Sequence, residues 1–478
     1  MGEVYKLSNA FSELDRAKLS WGHIKVMIVS GLGFFTDAYD LFVIGIVLML
    51  LSGPYQTSFH LSGHEIGAVG ASSLAFAMIG QLLFGKIADK YGRKKIYGIE
   101  LSILIIGALL SAISWNFESL LISRIFLGIG IGGDYPVSAT IMSEYANAKD
   151  RGKLVGLVFA MQGFGAITAV VASVILVSYL PAEITWRALL AIGAIPPLSV
   201  VYLRRKVPET PRYALLVSNN QEEAKKASKI IIGKEIRFNV GNNGITHLTF
   251  REFLEKYWKS LFIASFAWFL MDIAFYGTGI YSSFIVPQMI SVDSIHMKIL
   301  ISGIPYFVGA FGYFFAAFLM DSLGRKRIQI QGFIAMAAIY LIVALSLVSN
   351  GKDVLGFYVP KYLAFLIYSL SFFFINFGPN ETTFVFPTEL FPTKYRSTSH
   401  GIAAATGKAG AALSTYLFPL ALESIGIRGV LFILSGVSML GAIISIWLKE
   451  PAGKSLEEIT EEKVAIEVPI SVLHPYSN

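Results

Sequence analysis

Cysteine is missing from all 478 residues. That absence excludes disulfides, thiolate metal sites and cysteine nucleophiles. Charge is scarce too: 15% of the residues are Asp, Glu, Lys or Arg, against roughly 25% in an ordinary soluble domain. The chain holds neither a phosphate-cradling Gly-x-x-x-x-Gly-Lys-Ser/Thr loop nor a His-Glu-x-x-His pair, and its seven histidines are scattered. No enzymatic chemistry, cofactor or metal is expected from such a set, and any work must draw on something other than ATP. A removable signal peptide is not expected either. Glu3, Glu13 and Asp15 interrupt the first twenty residues, and the apolar run that follows is too long for an h-region.

What the chain has in excess is apolar surface, at 54% of its residues. A soluble fold could not hide so much, so the surplus is expected to face lipid. Twelve runs are long enough to cross the ~30 Å apolar slab as helices. They lie near 22–51, 65–87, 97–115, 118–145, 154–180, 187–204, 259–289, 297–320, 328–348, 357–386, 399–421 and 429–448, and are called spans 1 to 12.

The net charge of +7 does not announce nucleic acid, because the basic residues sit in short loops between spans. Lys86, Lys90, Arg93, Lys94 and Lys95 follow span 2. Lys149, Arg151 and Lys153 follow span 4. Arg325, Lys326 and Arg327 follow span 8, and Lys394 and Arg396 follow span 10. The opposite loops are poor in positive charge. Positive residues stay inside, so both termini are expected in the cytoplasm, in a multi-pass protein of the plasma membrane.

The halves repeat. Asp89-Lys-Tyr-Gly92-Arg93-Lys94-Lys95-Ile96 recurs as Asp321-Ser-Leu-Gly324-Arg325-Lys326-Arg327-Ile328, and the spacing of Glu144 and Arg151 recurs in Glu389 and Arg396. The chain therefore reads as an all-α membrane protein with twelve transmembrane helices in two pseudo-symmetric six-helix bundles. The expected divisions are 1–204, a connecting loop 205–258, 259–449, and a cytoplasmic tail 450–478. Within the loop, Gln221–Ile232 suits a short amphipathic helix, and Ser455 caps a helical start in the tail. Parallel six-span repeats place a substrate site at mid-membrane, between the halves.

Gly85-x-x-x-Asp89-x-x-Gly92-Arg93-Lys94 and its second copy resemble the loop signature of the major facilitator superfamily. Pro208-Glu209-Thr210-Pro211-Arg212 resembles the motif after span 6 in its sugar porter branch. Finer matches run from span 1 to span 11: Gly33-Phe-Phe-Thr-Asp37-Ala-Tyr-Asp40, Gly132-Gly133-Asp134-Tyr135-Pro136, Trp268-x-x-x-Asp272-x-x-x-Tyr276 and Phe377-Gly378-Pro379-Asn380. These resemble the phosphate:proton symporters. The resemblance implies inorganic phosphate held by Tyr135, Gln162, Trp268, Asp272, Tyr276 and Asn380, with Lys408 assisting the anion. Asp37, Glu100 and Asp134 would line the proton route. The short turn after span 3 departs from relatives that carry an external loop there.

The residues make their own case. A charge in mid-span costs at least ~2.5–3.5 kcal/mol, yet Asp37, Asp40, Glu100, Arg124, Asp134, Asp272, Glu381 and Lys408 all fall within spans. Internal ion pairs are the competing reading for the three acids Asp37, Asp134 and Asp272. They are the preferred one for Arg124, which lies ten residues before Asp134. Trp268, Asp272 and Tyr276 recur every four residues and share a helix face. Protonated, Asp272 would donate to a phosphate oxygen; ionised, it would repel the anion, so proton and phosphate binding would be coupled. Asp89, Arg93, Glu144, Arg151, Glu209 and Arg212 are expected to latch the cytoplasmic side. Topology alone accounts for Lys90, Lys94, Lys95 and Lys326.

The expected function is a proton-coupled phosphate symporter working by alternating access. Its partners are inorganic phosphate, protons and membrane lipid, with no nucleic acid, and it is taken as a monomer. The rivals are a sugar or sugar-phosphate porter, an organic-acid symporter and a non-transporting nutrient sensor.

Overall fold

A computed structural model describes residues 5–7, 11–233, 240–245, 248–290, 294–349, 354–462 and 464–467. Among these, eleven helices are long and apolar enough to cross a membrane: Trp21–Ser52, Gly63–Tyr91, Arg93–Ala112, Phe117–Tyr145, Arg151–Tyr179, Ala182–Arg205, Phe250–Ile280, Ile295–Leu323, Arg325–Ser346, Lys361–Glu389 and Thr393–Ser445. The last contains a continuous helix of 50 residues, Arg396–Ser445. At 1.5 Å per residue it would reach ~75 Å, far beyond the ~30 Å slab. Gly426 resolves this. Its backbone leaves the helical region at φ 67, a conformation that favours glycine, and the turn there divides the helix into spans 11 and 12. With this division the twelve expected spans are accounted for.

Span 7 starts earlier than expected, inside the stretch assigned to the connecting loop. Thr249 and Glu252 form a reciprocal capping box at its N-terminus, a local signal that overrides the polar composition. Span 10 is interrupted. One helix ends at Asn376, Gly378 is extended, and a second helix begins at Pro379. Proline needs no N–H partner at a helix start, so the break leaves Asn380 and Glu381 in a fresh first turn at mid-span. Irregular backbone at that depth is tolerated only where protein or a cavity covers it.

The expected helices at Gln221–Ile232 and after Ser455 are present. Two small sheets lie outside the all-α reading. Tyr5–Leu7, Val464–Glu467 and Val240–Ile245 form one, with Val464–Glu467 in the middle, and Leu347–Ser349 pairs with Val354–Phe357 beyond span 9.

Two seams join the halves, span 2 against span 11 and span 5 against span 8. At the first, a Cβ on Gly401 would strike the Gln81 carbonyl, and one on Gly85 would lie 2.6 Å from the Ser397 carbonyl oxygen. Only glycine allows so close an approach. Away from the seams, Phe307, Phe311, Phe315 and Phe318 point outward from span 8 and are 51–59% exposed, a stripe suited to lipid.

Candidate functional site

The face of span 7 that carries Trp268, Asp272 and Tyr276 turns toward the middle of the protein. Lys408 of span 11 meets it there. Its Nζ donates to Asp272 Oδ2 at 2.9 Å and to the Tyr276 hydroxyl at 3.0 Å. The ammonium also lies 4.3 Å from the Tyr276 ring centre and 5.0 Å from that of Tyr135, a residue of the other half. Gln162 donates to the Tyr135 hydroxyl at 3.4 Å, and the Tyr135 ring lies 6.3 Å from Trp268. Asn380 donates to the Tyr313 hydroxyl and to Asn376 Oδ1, both at 2.8 Å. The structure thus gathers Tyr135, Gln162, Trp268, Asp272, Tyr276 and Lys408 in one cluster. Asn380 reaches it by way of Tyr313, which is 5.9 Å ring to ring from Phe159, itself packed on Tyr135.

None of the seven predicted binding residues is more than 2% exposed. The cluster is shut off from solvent. Toward the end of the molecule away from the basic loops, Phe42 stacks on Tyr276 and packs 5.0 Å from Tyr306. Lys408 and Asp272 form a buried ion pair, the competing reading for Asp272, because a lone charge of either sign would be costly in this setting.

The N-terminal half holds a second buried cluster around a residue that sequence reasoning missed. Arg204 donates from Nη1 to Asp134 Oδ1 at 2.5 Å and to Glu100 Oε1 at 2.9 Å, and from Nη2 to Asp134 Oδ2 at 2.9 Å. Its guanidinium lies 4.6 Å over the Tyr97 ring. The Ser138 hydroxyl donates to Asp134 as well. Arg204 closes span 6 at the head of a basic run, Arg204-Arg205-Lys206. The helix turns it alone inward, fully buried, while Arg205 and Lys206 are exposed.

Arg124 is also corrected. It does not pair with Asp134 but donates to the Asp40 carbonyl at 3.1 Å, on span 1. Asp37 lies between the clusters, within electrostatic reach of Asp134, Arg204, Asp40 and Lys408. Both its carboxyl oxygens are buried, with no hydrogen-bond partner among the described residues.

At the basic end, the two halves are tied by matching charges. Arg93 bridges Asp89 at 3.1 Å and Glu144 at 3.0 Å, and Arg396 of the other half reaches Glu144 at 2.9 Å. The counterpart is Glu389, held by Arg325 at 2.9 Å and by Arg151 at 2.7 Å across the seam. Asp89 accepts the backbone N–H groups of Ser397 and Thr398, at the start of span 11. Asp321 accepts those of Gly152 and Lys153, at the start of span 5. Each acid meets the positive end of a helix in the opposite half.

Glu209 accepts the N–H groups of Arg93 and Lys94. Arg212 does not join Glu209; it binds Asp15 at 2.6 Å and Glu457 at 2.7 Å. Arg151 likewise does not join Glu144. Burial would lower the Arg212 pKa, but Glu457 and Asp15 more than offset it and raise it. Burial raises Glu209 above its ordinary value, with Arg93 opposing.

Known proteins share this plan. The family model described as "Sugar (and other) transporter" matches residues 25–462. The inorganic phosphate transporter 1-6 of Oryza sativa subsp. japonica is 37% identical, over 95% of this chain and 95% of its own. The probable inorganic phosphate transporter 1-6 of Arabidopsis thaliana is 36% identical, over 94% and 95%. The chain belongs to the sugar (and other) transporter family, on its inorganic phosphate transporter branch. The resemblance to major facilitator phosphate symporters therefore holds, and the protein is a multi-pass membrane transporter rather than an enzyme. The solved structure of the proton:xylose symporter XylE, bound to 6-bromo-6-deoxy-D-glucose, covers 91% of this chain and 98% of its own with a TM-score of 0.77. At 20% identity that likeness speaks for the fold alone.

Proposed function

We propose that this transporter carries inorganic phosphate across the membrane together with protons, by alternating access. The observation that carries the reading is the buried Lys408–Asp272 pair, joined by the Tyr276 hydroxyl at 3.0 Å, in a chamber walled by both halves. A compact tetrahedral anion calls for one point charge and several hydrogen-bond donors. Lys408 supplies the charge. The phenols of Tyr135 and Tyr276, the Trp268 indole and the amides of Gln162 and Asn380 supply donors. The names of the plant relatives favour phosphate as the anion.

Proton coupling follows from the pair. While Asp272 is ionised it occupies Lys408. A proton on Asp272 releases the ammonium for phosphate, and phosphate on Lys408 makes the proton on Asp272 easier to bind. The linkage is reciprocal. Asp37, Asp134 and Glu100 form the route for protons in the first half, with Arg204 holding two of them. The basic face is the cytoplasmic one, in a plasma membrane, with both termini on that side. Asp89, Arg93, Glu144, Arg151, Glu209 and Arg212, with Glu389, Arg325 and Arg396, latch that face.

The test is uptake of labelled phosphate into liposomes, with and without an inward proton gradient, beside Asp272→Asn. Gradient-driven uptake that the variant loses, while exchange or binding survives, supports the reading. Uptake of a sugar or an organic acid in place of phosphate overturns it.

A further inference from the structure

Glu381, like Asp40 and Arg124, is a mid-span charge that neither cluster absorbs, and of these three it lies in span 10. It sits in the first turn after the break in span 10, beside Asn380. Its side chain is fully buried, and among the described residues neither carboxyl oxygen has a hydrogen-bond partner.

Its position is specific. A Cβ on Gly156 of span 5 would lie 2.7 Å from Glu381 Oε1 and 3.1 Å from Ala317 of span 8. Glu381 therefore touches the seam between the halves. Further along span 5, Gly163 faces Ala310 and Tyr313, at the level of the chamber. In the other direction Gly152 faces Asp321 and Arg325, at the level of the latch. The carboxyl lies between the two.

The charged groups on the elements packed around span 10 are committed elsewhere. Asp272 and Lys408 hold each other. Arg151 and Arg325 hold Glu389, and Glu144 is shared by Arg93 and Arg396. His400 bonds the Phe384 carbonyl. The Tyr313 phenol, a neutral group, feels Glu381 from span 8 and is itself taken up by Asn380.

An ionised carboxylate without donors in a buried seam is strongly disfavoured. We propose that Glu381 is a proton-binding site whose occupancy licenses closure of the latch face. Protonated, it lets spans 5 and 8 close. When they part, water reaches it, the proton leaves to that side, and the carboxylate keeps the seam open until a proton returns. The inference rests on the alternating-access reading and adds to it a dependence on proton activity at the latch face, separate from the proton carried by Asp272.

The absence of cysteine makes the test direct. Spin labels on Lys149→Cys and Ser322→Cys, both at exposed positions beside the seam, report the latch-face separation in nanodiscs as pH is raised. The expected result is a closed population that falls about tenfold per pH unit above the midpoint, as release of one proton requires. Glu381→Gln should stay closed across that range, while Asp272→Asn should still open. An opening curve unchanged in Glu381→Gln overturns the proposal. Should that variant not fold, the infrared band of a protonated carboxyl decides in the parent: it must be lost as the labels separate, and its persistence through opening refutes the idea. Phosphate uptake is measured separately. Failure of phosphate transport with an intact Glu381-dependent opening leaves this inference standing, and the reverse outcome sinks it alone.

Discussion

Removing one member of the Lys408–Asp272 pair should cost far more than removing both. The two atoms are 2.9 Å apart, with side chains 2% and 0% exposed. At an effective dielectric near 20, their attraction is about 4 kcal/mol or more. Lys408→Met leaves a buried carboxylate and Asp272→Leu a buried ammonium. Either single change should destabilise by about 3–5 kcal/mol, unless the survivor sheds its charge. The double variant leaves no charge to strand and should lie within about 2 kcal/mol of the parent. Thermal melting of purified protein over a complete mutant cycle gives the coupling as the departure from additivity. Phosphate binding on the same samples adds a functional arm. Asp272→Asn should keep binding but lose its pH dependence, whereas Lys408→Met should lose binding altogether. Additive single effects, or full binding by Lys408→Met, would refute the reasoning.

Arg204→Leu strands Asp134 and Glu100 and should cost about 3–5 kcal/mol by melting; adding Asp134→Asn and Glu100→Gln should recover most of it. Glu144→Gln or Glu389→Gln weakens two arginine contacts, one of them across the halves, so label distances at the basic face should lengthen while phosphate affinity changes less than tenfold; the opposite pattern would dissolve the latch. Burial raises the Glu209 pKa in the closed latch, so the closed form binds that proton more tightly than an open form would. Acidification through the raised pKa should therefore favour closure, with no further gain below the ordinary value of about 4.5, and Glu209→Gln should abolish that part of the label titration. Gly401→Leu should block the approach of span 11 to span 2 and hold the basic face apart in the same label assay.

The site divided into parts that could and could not be read along the chain. Trp268, Asp272 and Tyr276 were legible because helical spacing places them on one stripe, and a carboxyl in a span is too costly to be idle. Lys408 was legible for the same reason. That it would clasp Asp272 was not, since the two are far apart in the chain and only the packing of span 11 on span 7 joins them. Arg204 escaped notice because it heads a run of basic residues at a span end, where loop charges belong. Its inward turn depends on the helical phase reached at that residue. Arg124 meets the Asp40 main-chain carbonyl on a neighbouring helix, a contact that spacing along its own helix does not reveal. Arg151 and Arg212 were known to belong near the latch, but their partners, Glu389, Asp15 and Glu457, come from distant segments.

By itself the sequence determined that this protein lives in a membrane as a bundle of apolar helices, that its halves repeat and which family it resembles. Those properties rest on composition, length and local spacing, which act over a few turns of helix. Only the tertiary structure decided which charges neutralise which, that the predicted binding residues are buried together, and that Glu381 has no hydrogen-bond partner among the described residues on the seam. Charge pairing in a low-dielectric interior is set by distances of a few ångströms between helices, and the order of residues along the chain does not encode them in any form that can be read one span at a time.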